Sequence, residues 1–138
     1  MNTSEPPTFS QAVNLEPASA QRKIVLLSSP GPRREALLAI LRSMPRSGKI
    51  FCFPTLVESE AQMKTPEATV VIIDHLPGEI SLKQAIPFIR QWNHQALILL
   101  LVENPREIFQ DTLHRPDAVL CDGFSSASLA REVERLQR

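Results

Sequence analysis

Short apolar runs and amphipathic stretches alternate along this chain from about residue 22 to its end. Lys23–Leu27 (KIVLL) is rich in residues that pack well on a pleated sheet, and it stops at Ser28-Ser29-Pro30-Gly31-Pro32. Pro32 suits a first helical position, where the N–H it lacks would be unpaired anyway. Leu37, Leu38, Ile40, Leu41 and Met44 then follow at helical spacing and form one apolar stripe. Lys49–Phe53 (KIFCF) reads as a second strand, and Leu56–Lys64 as a modest helix bounded by Pro54 and Pro66. Thr69–Ile73 (TVVII) lacks polar alternation, which predicts a strand buried on both faces.

The next helix holds Pro87 inside SLKQAIPFIRQW. Proline is tolerated in a helix's first turn, so a start near Ala85 is expected rather than near Ser81. Ala96–Val102 (ALILLLV) is the most apolar strand and the natural centre of a sheet. Asn104-Pro105 caps and starts a helix running to about His114, with Ile108, Phe109 and Leu113 inward. Asp117–Cys121 (DAVLC) is a fifth strand, and Leu129, Ala130, Val133 and Leu136 stripe a last helix. Strands alternating with helices predict a doubly wound α/β domain with a five-stranded parallel sheet covered on both faces.

Composition narrows the class. The chain has 138 residues with fifteen basic and fifteen acidic side chains, which fits one domain. Zero net charge argues against nucleic-acid binding, which needs a basic surplus, and against a polybasic membrane-surface role. Residues 1–21 hold three prolines and no periodic apolar pattern, so they read as a flexible tail before a domain at 22–138. No stretch is long and apolar enough to span a bilayer, and the opening residues, with no basic region followed by an apolar stretch, are not expected to be a secretory signal. Cys52 and Cys121 lack CxxC spacing, so neither a disulfide framework nor a structural zinc is expected. A reduced, cytoplasmic protein is the expectation.

In open parallel sheets the site lies at the carboxyl ends of the strands. Here that edge gathers Ser28, Ser29, Asp74, His75, Glu103, Asn104 and Asp122. Two segments resemble the receiver domain of two-component response regulators. Val71-Ile72-Ile73-Asp74-His75-Leu76-Pro77-Gly78 is similar to the family's apolar strand, phospho-accepting aspartate and Met-Pro-Gly loop. Cys121-Asp122-Gly123-Phe124-Ser125-Ser126-Ala127-Ser128-Leu129 resembles its Lys-Pro-Phe segment running into the last helix. The element order matches over about residues 22–138.

The resemblance implies a flavodoxin-like (βα)₅ fold with strand order 2-1-3-4-5. It also implies a magnesium site built from an acidic pair and the central aspartate, with a hydroxyl and a lysine on the phosphoryl group. Carried over residue by residue, the acidic pair falls on Ser28 and Ser29, and the hydroxyl on Leu101 or Val102 depending on register. The lysine position falls on Asp122, its proline on Gly123, and the aromatic switch on Val119. Only Asp74 keeps its type, and its loop is one residue short. Serine hydroxyls replace carboxylates poorly around a hard cation, and an aspartate at the lysine position repels a phosphoryl anion. The expectation is a degenerate, non-enzymatic receiver without cofactor or metal, with Asp74 silent and accepting backbone N–H bonds. It acts by binding another signalling protein: a kinase, a regulator or an output domain.

Two alternatives stay open: an active receiver phosphorylated on Asp74, and a flavodoxin-like small-molecule binder. Strands three and five stand two positions apart, roughly 10 Å, which an Asp74–Asp122 pair does not span. A Cys121–His75–Asp74 triad requires a thiol within reach of its base, whereas a cysteine inside a strand usually packs in the core. His75, His94 and His114 lack metal-ligand spacing, and Trp92 reads as core edge. The face formed by the fourth helix, fifth strand and last helix is the family's common contact surface and a possible homodimer face. Arg131, Arg135 and Arg138 recur there at i, i+4 and i+7, a row suited to carboxylates on a partner or simply to solvent.

Overall fold

The computed structural model describes residues 22–45, 48–74, 82–103 and 115–138, with the backbone alone at 82 and 83. The expected tail, the loop at His75–Gly78 and the expected helix from Asn104 to His114 lie outside them. Five strands form one parallel sheet: β1 (Lys23–Leu27), β2 (Ile50–Phe53), β3 (Thr69–Ile73), β4 (Leu97–Val102) and β5 (Ala118–Cys121). Their order is β2-β1-β3-β4-β5, the order the resemblance implies. β3 is therefore the middle strand, and the more apolar β4, expected there, lies beside it. Both are interior strands with helices on either side, so hydrophobicity does not separate them.

Strand alternation deals side chains to two cores. Ile24, Leu26, Val70, Ile72, Leu99 and Leu101 meet Leu37, Leu38 and Leu41 of α1 (Pro32–Arg42) and Leu129, Val133 and Leu136 of α4 (Ser126–Gln137). Val25, Leu27, Val71, Ile73, Ile98 and Leu100 meet Leu56, Met63 and the helix α3 (Leu82–Trp92). Met63 ends α2 (Glu60–Met63), which continues a 3₁₀ turn at Val57–Ser59. Trp92 is half-buried against this second core, as expected.

Helix α3 begins at Leu82, with Pro87 inside it, rather than near Ala85. An interior proline removes one hydrogen bond and costs about 3 kcal/mol. Ile86 and Ile89, both buried against the sheet, recover roughly 1.5–3 kcal/mol each. Tertiary burial outweighs the local penalty.

At the amino edge, Lys23 is buried. Its Nζ donates to the Gln62 carbonyl, to Gln62 Oε1 and to Thr65 Oγ1, tying α2 to β1. Burial pulls the Lys23 pKa below the usual lysine value; Glu67 opposes this and Lys49 adds to it. Gly48 enters β2 so close to β1 that a Cβ there would stand 2.7 Å from the Arg22 carbonyl oxygen. Cys52 and Cys121 are free thiols on the two edge strands. Cys121 is exposed at its strand's end rather than packed in the core, because β5 is an edge strand.

Candidate functional site

The strand register assembles the site. Leu27 pairs with Ile73, and Ile73 with Leu100. One step beyond, Ser28, Asp74 and Leu101 therefore share a row across β1, β3 and β4. Alternation puts this row on the α1 side of the sheet, with Ile24, Leu26, Val70, Ile72 and Leu99. Asp122 continues the same side from Ala118 and Leu120 of β5. On β4 the residue in this row is Leu101, a buried core residue, while Val102 faces the other core.

Helix α1 starts above this row. Gly31 is its N-cap and Pro32 opens it, so Arg33 and Arg34 stand in its first turn over the carboxyl edge. Arg33 Nε donates to Asp74 Oδ1 at 2.8 Å and Oδ2 at 3.0 Å, and Arg33 Nη2 donates to Asp122 Oδ1 at 3.1 Å. Ser28 Oγ donates to Asp74 Oδ2 at 2.9 Å. Arg34 donates twice to the Ser28 carbonyl, at 3.0 and 2.7 Å. The Asp74 side chain is only 4% exposed, whereas those of Arg33 and Asp122 are 48% and 40% exposed. Burial pulls the Arg33 pKa down, but the hydrogen bonds and charges of Asp74 and Asp122 outweigh it and hold it above the usual arginine value.

Ser28, Asp74 and Asp122 are therefore brought together, while Ser29 is exposed and takes no part in these bonds. The gap between β3 and β5 is bridged, but by Arg33. Asp74 accepts from two side chains, where backbone donors from the following turn were expected; that turn lies outside the described residues. Val119 of β5 is half-buried against the α3-side core. His75, Asn104 and His114 lie outside the described residues, and Glu103 and His94 are exposed. Arg131 and Arg135 of α4 and Arg138 just past its end are all exposed, and Arg135 donates from Nε and Nη2 to Glu132 Oε1 of its own helix.

Arg33 is the residue of this site that no motif in the sequence marks. A signal was present: Arg33 and Arg34 stand in the first turn of a helix, where the dipole disfavours cations, and Glu35 beside them offsets this only in part. Such a local conflict marks a tertiary partner.

No family model and no curated protein matches the chain. Solved structures do. The receiver domain of a sensor histidine kinase from Pseudomonas aeruginosa, with magnesium coordinated in its active site cleft, superposes with a TM-score of 0.68 at 17% identity. That match covers 85% of this chain and 98% of the other. The chemotaxis response regulator CheY4 of Vibrio cholerae gives 0.68 at 16% identity, over 84% and 98% of the two chains. A response regulator receiver protein from Sinorhizobium medicae gives 0.69 at 16%, over 85% and 94%. This chain has the receiver fold.

The magnesium such a fold implies does not suit these donors. A hard dication needs several oxygen ligands, mostly carboxylate. Here Asp74 is the one buried carboxylate in the row, and a guanidinium sits on both its oxygens. Any dication at Asp74 would meet that fixed positive charge at close range.

Proposed function

We propose that this chain is a signalling module of receiver fold that works without phosphorylation, by binding another protein. The observation that supports it most is the Arg33 guanidinium on Asp74. A phospho-accepting carboxylate needs an oxygen free to attack and a metal to neutralise the transferred group. Here both Asp74 oxygens carry N–H or O–H donors, and the positions of the acidic pair and the lysine hold Ser28, Ser29 and Asp122. The active-receiver alternative requires Arg33 to leave Asp74. The small-molecule alternative requires a ligand that competes with Arg33 for Asp74 and with Arg34 for the Ser28 carbonyl.

The partner is another signalling protein: a kinase, a regulator, an output domain or a second copy of this chain. The contact face is that of β5 and α4, with Arg131 and Arg138 offered to acidic groups, since Arg135 is engaged by Glu132. Incubation with acetyl phosphate and magnesium tests the silence of Asp74. The expected result is an unchanged intact mass; a stable phosphoryl adduct on Asp74 would defeat the proposal. Reversing Arg131 and Arg138 to Glu tests the face, by self-association and partner capture, with loss of one or both expected.

A further inference from the structure

We propose that Arg33 is a two-armed strap, firm on Asp74 and releasable on Asp122, that couples the buried carboxylate to the turn leading into α4. This rests on the reading of Arg33 as the resident cation of Asp74, and adds how that cation governs the neighbouring surface.

The two arms differ in their surroundings. On the firm side, the Asp74 carboxylate is withdrawn from water, takes Nε through both oxygens and is further held by Ser28. Its low exposure keeps the local dielectric low and the attraction strong. On the other side, Asp122 takes a single bond from Nη2, and both partners are substantially exposed. Exposed pairs of this kind are weak and screened by salt. The same guanidinium is therefore anchored at one end and easily let go at the other.

What the releasable arm holds is the entry to α4. The Asp122 N–H donates to the Val102 carbonyl at 2.8 Å, and the Phe124 N–H to the Cys121 carbonyl at 3.2 Å. Between them Gly123 takes φ +96°, a left-handed conformation that glycine adopts without strain. Ser125 then caps α4 by accepting from the Ser128 N–H at 3.0 Å. Four consecutive residues thus link the strap to the first turn of the helix that carries Arg131 and is followed by Arg138. Because the guanidinium is planar and rigid, the seat of Nε on Asp74 fixes where Nη2 lies, and with it Asp122. A carboxylate from a binding partner that takes over Nη2 frees the turn without unseating Arg33 from Asp74.

The test is the amide spectrum and hydrogen exchange of the intact chain, with the Arg33 Nε–H signal as a second reporter. Asp74→Asn is expected to shift the Gly123 and Phe124 amides. In an Arg33→Gln background the same substitution should leave them where Arg33→Gln alone puts them. Asp122→Asn should speed exchange at the Phe124 amide by up to about fivefold, the range for an exposed pair, and retain the Nε–H signal. Sodium chloride needs no variant: raising it should move Gly123 and Phe124 toward their Asp122→Asn positions while the Nε–H signal persists. Equal shifts from Asp74→Asn with and without Arg33, or loss of both arms together in salt, would overturn the strap. Phosphoryl uptake at Asp74 would be a separate failure, seen by mass and not by these amides.

Discussion

Replacing Arg33 by Gln removes the cation from a buried carboxylate, and its cost can be worked from the site. Stripping the partner from a fully buried ion pair costs about 3–5 kcal/mol. Two facts reduce this here. Arg33 is itself about half exposed, so water enters where its guanidinium stood, and Ser28 Oγ still donates to Asp74. The Asp122 arm, exposed on both sides, adds less than about 1 kcal/mol. The expected destabilisation is then about 2 kcal/mol. With a urea m-value of about 2 kcal/mol/M for a small domain, the unfolding midpoint should fall by about 1 M. The control is the same substitution beside Asp74→Asn. Once the carboxylate is neutral, removing Arg33 should cost less than about 1 kcal/mol, because only the exposed arm is lost. An unmoved midpoint, or an equal loss in both backgrounds, would refute the assignment of Arg33 as the counter-ion of Asp74.

Four further outcomes follow from other parts of the fold. Gly48→Ala should destabilise by about 1–3 kcal/mol in the same urea assay, since its Cβ meets the Arg22 backbone and not a movable side chain; an unchanged midpoint would contradict this. Thiol titration should find two free groups and no intramolecular disulfide, because β2 and β5 stand four spacings, roughly 19 Å, apart. Alkylation should be faster at exposed Cys121 than at half-buried Cys52, whose thiol burial pushes up in pKa; equal rates would argue against that difference. Lys23 binds protons less tightly folded than unfolded, so between its lowered folded value and the usual 10.5 the unfolded chain holds more protons. Stability relative to Lys23→Met should therefore rise with pH across that window, and a fall would reverse the assigned direction of the shift.

The fold was legible in the sequence wherever burial alone decides a segment. Lys23–Leu27 and Thr69–Ile73 read as strands because every side chain in them is buried on one face or the other. Pro32 marked the first residue of α1 because a missing N–H costs nothing there. Pro87 misled because the local rule ignores the sheet that Ile86 and Ile89 bury against. The site was half legible. Ser28, Asp74 and Asp122 could be placed at one edge from strand ends and resemblance, but the side chain joining them could not. Arg33 reaches across 41 residues to Asp74 and 89 to Asp122, and no periodicity encodes contacts of that span. Cys121 departs from the usual burial of strand cysteines because it is the last residue of an edge strand, where its side chain is exposed even though the strand order was legible.

A side chain of this protein, Arg33, occupies the carboxylate on which a receiver's chemistry would turn. A crystal structure grown with magnesium and beryllofluoride puts this to the test, because those reagents compete for the same two oxygens. Arg33 Nε is expected to stay within hydrogen-bond distance of both Asp74 oxygens, near 2.8 and 3.0 Å, with no beryllium on Asp74. Arg33 turned out to solvent, with beryllofluoride on Asp74 and magnesium beside it, would contradict it.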